Sequence, residues 1–144
     1  MSQTQTKQLE EQETAHLNGT RLVILLYDGA IGALNKALAA FEAGDLETRC
    51  EAINMTMDII VQLHDALDLE HGGHVAANLD NLYRFMITRL ARANLTNNPQ
   101  PVHDVLYLIE PLYDAWRKLD EQISAQDIVQ RGAAKEAVPM RAAG

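Results

Sequence analysis

The segment Arg21–Asp45 is apolar or small on almost every side of the helix that it predicts. Its polar residues recur at every seventh position, and they are Arg21, Asp28, Asn35 and Glu42, with Lys36 as the main addition. A helix that packs against one globular core needs an apolar stripe of only three or four positions in two turns. The pattern therefore predicts more apolar surface than a single core face would cover. Within it, Tyr27 is expected in the core with its hydroxyl bonded, and Asp28 on a polar seam.

Three further segments place apolar residues at alternating steps of three and four, which is typical of amphipathic helices. The four predicted helices span Asn18 to Gly44, Asp45 to Gly73, Val75 to Asn94, and Pro101 to about Ser124. Asn18 and Asp45 can cap the helices that follow them, because their side chains accept hydrogen bonds from free first-turn amides. Short connections between long helices force antiparallel neighbours. The predicted fold is all-α, an up-down-up-down four-helix bundle over residues 17–126.

The two ends of the chain lack this periodicity. Residues 1–16 are polar and rich in Gln, Glu and Thr, which predicts a flexible N-terminal arm or a loosely held helix. Residues 127–144 are small and aperiodic, which predicts a disordered C-terminal tail. Pro111 lies inside the fourth predicted helix, so a kink is expected between Tyr107 and Pro111.

Composition and charge narrow the class of protein. The net charge is −8 and no cluster of Lys or Arg breaks the acidic balance, which argues against nucleic-acid binding. The single cysteine, Cys50, cannot form an internal disulfide and suits a reducing cytosol. The start of the chain does not read as a signal sequence, and no apolar run approaches the roughly 18 residues of a membrane span. These features predict a cytosolic helical domain without membrane insertion.

The histidines and the cysteine do not form a recognisable reactive group. His71 and His74 bracket a Gly-Gly turn, but no Cys or Asp/Glu grouping completes a metal site at matching geometry. Cys50 lies on the apolar stripe of the second predicted helix, which indicates a small core residue rather than a nucleophile. We therefore expect no enzymatic activity, no cofactor, no metal and no small-molecule substrate.

Two other functions are open to a bundle of this kind. Histidine phosphotransfer requires an exposed mid-helix histidine with a lysine nearby, whereas His64 has Asp65 and Asp68 beside it and no lysine within one turn. A regulatory bundle that self-associates would have a mass that depends on its concentration. Both hypotheses are separable from partner binding by direct measurement.

Apolar residues outside the main stripes are the candidates for partner contact. The first helix carries a ridge of large residues from Ile24 to Phe41 beside a ridge of small ones, and the sequence does not assign which ridge faces the core. The second helix has a spare row from Ile59 to Ala66. Such rows either widen internal seams or line outside grooves that accept amphipathic segments of another protein. The candidate partner-binding residues are Ile24, Tyr27, Ile31, Ile59, Leu63, Ala66, Tyr83 and Phe85.

Three stretches of the sequence are specific when taken together. They are LVILLYDGAIGALNKAL from Leu22, HGGHVAANLDNLYRFMITRLARAN from His71, and a tryptophan late in the fourth helix, Trp116. Together they resemble the flagellar secretion chaperone FliS family, over about residues 17 to 119. The resemblance implies a helical bundle, no enzymatic activity, and a client, flagellin, whose disordered C-terminal segment wraps around the chaperone and folds into helices there. It also implies that flagellin is kept monomeric in the cytosol and presented to the flagellar type III export gate.

Overall fold

The computed structural model of this chain is all-α, and it describes the backbone of residues 2–143 and the side chains of residues 19–132. Its four helices are α1 (Ser2–Ala43), α2 (Leu46–Asp65), α3 (Gly73–Thr96) and α4 (Gln100–Ala143). No strand is present between residues 2 and 143. The predicted all-α class is confirmed.

The chain divides into two compact units. The first, here the bundle unit, is Val23–Tyr113, and the second, the terminal unit, consists of Met1–Leu22 and Asp114–Gly144. The bundle unit holds α2, α3, the C-terminal half of α1 and the N-terminal turns of α4. It therefore contains a part of each of the four helices.

Contacts between the helices of the bundle unit give the direction of each helix. As the residue number increases along one helix, the number of the residue in contact with it decreases along the next. They join Phe41 to Arg49 and Gly29 to Ile59 between α1 and α2, Asn54 to Asn94 and His64 to Asp80 between α2 and α3, and Arg89 to Asp104 between α3 and α4. The Tyr113 hydroxyl donates to Asp28 Oδ1 at 3.2 Å, which links α4 back to α1. These directions are those of an antiparallel four-helix bundle, as predicted.

Two tyrosines meet in the core of the bundle unit. Tyr27 is 0% and Tyr83 is 2% exposed, and their hydroxyls are hydrogen-bonded to each other. Burial, and then this hydrogen bond, raises the pKa of Tyr83 above its usual range. Fully buried apolar side chains are contributed by all four helices: Leu34, Ile53, Ile60, Met86, Leu90, Val102, Val105 and Ile109. The predicted core position of Tyr27 is confirmed, and Asp28 is exposed as expected.

Helix α1 begins earlier than the sequence pattern predicts. It starts at Ser2, so Asn18 and Gly19 lie inside it, and the predicted N-cap at Asn18 is wrong. The segment before Asn18 has no proline or glycine and is rich in Gln and Glu, which are good helix formers. The side chains of residues 1–18 lie outside the described ones, so the assignment of residues 1–16 as an arm stays a prediction.

Helix α2 ends at Asp65, earlier than the predicted end at the Gly-Gly pair. The cause is a turn built on Asp68. Its Oδ1 accepts from the His71 amide at 3.1 Å, and its carbonyl accepts from the Gly72 amide at 2.8 Å. Local bonds of this kind give the backbone an alternative to the helical ladder. The apolar spacing that continues to Leu67 therefore overstates the length of the helix.

The two glycines of this turn should be intolerant of alanine for different reasons. A Cβ on Gly72 would lie 2.4 Å from Ala76 Cβ and 2.6 Å from the Asp68 carbonyl oxygen, whereas Gly73 has open space but a φ of 58°. Gly72→Ala should cost about 1–3 kcal/mol through overpacking, and Gly73→Ala about 1–2 kcal/mol through the left-handed backbone. Urea unfolding measures both.

An asparagine series is the control for these two glycines. Asparagine tolerates the left-handed region, so Gly73→Asn should recover much of the loss seen in Gly73→Ala. Gly72→Asn should recover nothing, because the clash at Gly72 begins at the Cβ atom. Similar behaviour of the two positions in both series would contradict this account.

The other two connections follow the predicted chemistry. Asp45 caps α2 and accepts from the Thr48 amide at 3.1 Å. Asn97 follows α3 with a φ of 51°, in the left-handed conformation that asparagine adopts more readily than other non-glycine residues. The turn predicted from the Asn and Pro residues after α3 is therefore confirmed.

Helix α4 continues beyond its predicted end. The helix continues through Pro111 and past Ser124 to Ala143, so the predicted end near Ser124 is wrong. Arg131 and Asp127 form an ion pair at 3.2 Å, with the spacing of one helical turn. The side chains of residues 133–144 lie outside the described ones, so the tail assignment stays a prediction, as does the kink before Pro111.

Candidate partner-binding surface

Helix α1 is apolar but only partly covered. By length and composition the segment Gly19–Ala43 could cross a membrane, so the expectation that no apolar run reaches that length is wrong. The polar residues are so widely spaced that the average stays apolar across them. A core helix of a soluble protein passes the same test, but only 28% of the most apolar stretch of α1 is buried. Its exposed large apolar side chains are Leu22 at 58% and Leu25 at 65%.

The core face of α1 draws on both predicted ridges. The buried residues of the two ridges are Tyr27 and Leu34 from the large ridge and Ala30, Ala33, Ala37 and Ala40 from the small one. Ile24, Ile31, Leu38 and Phe41 are half-buried. The centre of the core face thus lies between the two ridges, and the large ridge is only partly covered.

Apolar and glycine residues form a strip along the neighbouring faces of α1 and α2, where Gly29 meets Ile59. On α1 it is formed by Leu25, Gly29 and Gly32, and on α2 by Met55 and Ile59, so that each row follows the helical repeat. Leu25 is 65% and Met55 is 56% exposed, while Ile59 Cδ1 lies 3.4 Å from the place of a Cβ on Gly29. A Cβ on Gly32 would meet nothing within 4 Å. We call these five residues the α1–α2 groove.

The structure moves part of the predicted spare row of α2 into the core. Ile59 is 8% and Leu63 is 2% exposed, so this part of the row widens an internal seam, which is one of the two placements that the sequence left open. The buried face of α2 also includes Ala52 and Thr56, and it is wide enough to take both rows. Ala66, the last member of the row, is exposed after the end of α2.

The other candidate residues fall into three groups. Tyr27 and Tyr83 are buried in the core. Ile24 and Ile31 are half-buried on α1. Phe85 is 47% exposed on α3. Contact of these eight candidates with a partner stays a prediction, and the structure does not bring them together into one surface.

Phe85 is held by an arginine rather than by the core. The Arg89 guanidinium lies 5.6 Å from the centre of its ring, and Arg89 Nη2 donates to Asp104 Oδ2 at 2.7 Å. Hydrogen bonds from the Gln100 side chain and from Arg89 lower the pKa of the Asp104 carboxyl. The cation covers one face of the ring, which accounts for an aromatic residue on a polar helix face.

Sequence reasoning missed the groove residues Leu25, Gly29, Gly32 and Met55. The signal was present, because Leu25, Gly29 and Gly32 follow the steps of four and three that define one helix face. Two glycines in that row indicate close approach of another segment. The pattern was hidden by the two neighbouring ridges, which carry larger and more numerous apolar residues.

His64 is part of a polar cluster that fastens α2 to α3. Its Nε2 is paired with the Asp80 carboxylate, which also accepts from Arg84 Nε at 3.0 Å, and its Nδ1 lies 3.9 Å from Asp65. Arg84, and then His64, lowers the pKa of Asp80. The imidazole is only 25% exposed and already paired, which is poorly suited to phosphotransfer. Within residues 19–132 no group of three His, Cys, Asp or Glu is placed to hold a metal.

This cluster should make the stability of the protein fall in acid. The pKa of Asp80 is below its ordinary value of 3.8, so its ionised form stabilises the folded state above that pH. The contribution is lost as the pH falls through the folded-state pKa. The stability difference between the wild type and Asp80→Asn, measured by urea unfolding, should therefore shrink below about pH 4. Asp58→Asn, a change at an exposed carboxylate of α2, is the control variant.

These features define an antiparallel four-helix-bundle protein whose first helix is apolar and incompletely covered. The comparisons with known proteins agree on what kind of bundle it is. A family model described as flagellar protein FliS matches residues 1–123. The chain belongs to this FliS family.

Characterised relatives carry matching names. The chain is 38% identical over 108 residues to the flagellar secretion chaperone FliS of Salmonella typhimurium, covering 74% of this chain and 80% of the relative. It is 36% identical over 99 residues to the flagellar secretion chaperone FliS of Vibrio cholerae, with 69% and 73% covered. It is 35% identical over 116 residues to the flagellar secretion chaperone FliSB of Pseudomonas aeruginosa, with 81% and 91% covered. The predicted family resemblance is confirmed.

Proposed function

We propose that this protein is a cytosolic flagellar export chaperone that binds the disordered C-terminal segment of flagellin. It holds flagellin back from premature polymerisation and delivers it to the flagellar type III export apparatus. Family membership supports the general role. The observation that carries the specific proposal is the open apolar surface of α1, where Leu22 is 58% and Leu25 is 65% exposed.

Holding a client by burial alone requires a large contact. Each Å² of apolar surface removed from water contributes roughly 25 cal/mol, and part of that gain offsets the ordering of the client. A disordered segment that folds on binding therefore needs an extended surface rather than one deep pocket. The exposed part of α1 and the α1–α2 groove supply such a surface.

The groove suits an amphipathic helix in particular. Helical peptides bind in grooves through side chains that project at steps of three and four. Gly32 allows the client backbone to approach α1 closely, since even a Cβ atom there would meet nothing within 4 Å. Leu25 and Met55 are exposed on either side and would cover the apolar face of the client.

Titration with the isolated C-terminal segment of flagellin from the same organism tests the proposal. Calorimetry should give saturable binding with a negative heat-capacity change, since apolar surface is buried. Circular dichroism should show helicity above the sum of the two components. A peptide of the same composition in scrambled order is the control. Absence of both signals with the native segment would sink the proposal.

The same preparation separates the alternatives. A self-associating regulatory bundle would show a mass that rises with concentration in sedimentation equilibrium and no response to flagellin. A phosphotransfer protein would carry acid-labile phosphate on His64 after incubation with a phosphorylated receiver domain. Delivery is tested in cells, where loss of this protein should lower the amount of flagellin that is exported.

A further inference from the structure

Arg49 is a buried arginine that has no carboxylate partner in the described part of the chain. It is 6% exposed, and its Nη atoms donate to Asn97 Oδ1 and, at 3.5 Å, to the Asn94 carbonyl. Its guanidinium lies 4.9 Å from the centre of the Phe41 ring. Its Nε is buried and has no hydrogen-bond partner among residues 19–132.

This arrangement leaves the positive charge only partly compensated. Removing a guanidinium from water is costly unless an anion and a full set of hydrogen bonds replace the water. Amide and carbonyl acceptors, together with the aromatic face, offset part of the cost. Asp45 is close in sequence, but its two carboxylate oxygens accept from the Thr48 amide at 3.1 Å and the Thr48 hydroxyl at 2.6 Å. Among residues 19–132 the guanidinium thus lacks an anionic partner.

A cavity opens beside this group at the end of the bundle unit. Its volume is about 490 Å³, and it is lined by Ala40, Phe41, Gly44, Asp45, Leu46, Arg49, Asn94, Leu95 and Asn97. Leu46 is 61% and Leu95 is 85% exposed. The volume is within the range of ligand-binding pockets. The cavity therefore combines a buried cation with two exposed leucines.

We propose that this Arg49 cavity binds a carboxylate side chain carried on an apolar peptide segment. The carboxylate accepts from Nε, the donor that has no partner, and from Nη2, whose bond to the Asn94 carbonyl is long at 3.5 Å. Apolar side chains next to the carboxylate in the peptide pack against Leu46 and Leu95. The net charge of −8 disfavours acidic segments elsewhere on the protein, so the buried arginine gives the cavity its selectivity. The site is separate from the α1–α2 groove and does not depend on flagellin as the client.

Two tripeptides that differ in one group test the proposal on the full chain. They are acetyl-Leu-Glu-Leu-amide and acetyl-Leu-Gln-Leu-amide, and the readout is the Arg49 Nε–H resonance in a nuclear magnetic resonance titration. We expect a saturable shift with the Glu peptide and at least about tenfold weaker binding of the Gln peptide, because only the carboxylate forms the charge-assisted bond. Equal shifts with both peptides would overturn the proposal.

Rim variants and simple anions complete the test. Leu46→Ala and Leu95→Ala remove exposed side chains, so the fold should be kept while affinity for the Glu peptide falls by about threefold or more. If both variants bind like the wild type, or if acetate or inorganic phosphate alone gives the same shift at the same concentration, the apolar part of the site is refuted. Absence of any saturable shift would mean that Arg49 serves only to hold the turn at Asn97.

Discussion

Replacing Tyr27 by alanine should lower the free energy of unfolding by about 3–5 kcal/mol, the largest single-residue loss in the bundle unit. The side chain is fully buried, and its hydroxyl bonds that of Tyr83 in the core. Truncation removes an aromatic ring from close-packed surroundings and leaves a cavity. Urea unfolding monitored by circular dichroism measures the loss.

Two further variants separate the ring from the hydroxyl. Tyr27→Phe keeps the ring but leaves the Tyr83 hydroxyl buried without its partner, which should cost about 1–3 kcal/mol. Adding Tyr83→Phe removes that orphaned group, so the double variant should lose less than the sum of the two single ones. Asp28→Ala, next in sequence but exposed, should cost no more than about 1 kcal/mol although it removes the bond to Tyr113. Equal losses at Tyr27 and Asp28 would contradict the orientation of α1.

Placing a glutamine at Gly32 should weaken flagellin binding by about tenfold to a hundredfold without harming the fold. A Cβ atom there would meet nothing within 4 Å in the free protein, so the longer side chain starts in open space. The change also removes a mid-helix glycine, which should raise the stability of the free protein by roughly 0.5–1 kcal/mol. In the complex the same side chain would occupy the space of the client helix, at a cost of about 1–3 kcal/mol. Calorimetric titration beside a thermal melt measures the two effects separately.

Gly19→Gln is the matched control for the groove. Gly19 is also an exposed glycine of α1 with nothing within 4 Å of the place of its Cβ. It should gain stability in the same way, yet keep its affinity for flagellin. If the Gly32→Gln protein is stable and binds flagellin like the wild type, the α1–α2 groove is excluded as the client site. That result would leave the proposal of flagellin binding itself in place.

The sequence pattern was sufficient for the number, order and direction of the helices. Steps of three and four in the apolar residues mark a helix face wherever they occur, and short connections leave few topologies. Asp45 and the Asn-rich turn at Asn97 were predictable for a similar reason, since caps and turns depend on the local chain. These features do not require knowledge of distant contacts.

Other features depend on contacts between segments, and the spacing of apolar residues within one segment does not reveal them. Helix α2 stops at Asp65 because the Asp68 turn outcompetes a helical pattern that continues to Leu67. Ile59 and Leu63 form a row beside the main stripe, and only the position of α1 and α3 decides that both rows are buried. The Arg49 cavity combines groups from three helices and two turns, and residues so far apart in sequence have no shared pattern.

The hydrogen bond between Tyr27 and Tyr83 has a consequence for synthesis on the ribosome. The two residues are 56 positions apart in the chain. At about 5–20 residues per second, the second tyrosine is made roughly 3 to 11 s after the first. During that interval the apolar half of α1 has no α3 to pack against, although α1 helices can form in microseconds or less. The apolar half of α1 in the newly made chain can therefore aggregate during this interval. The risk ends only when α3 is available to complete the core.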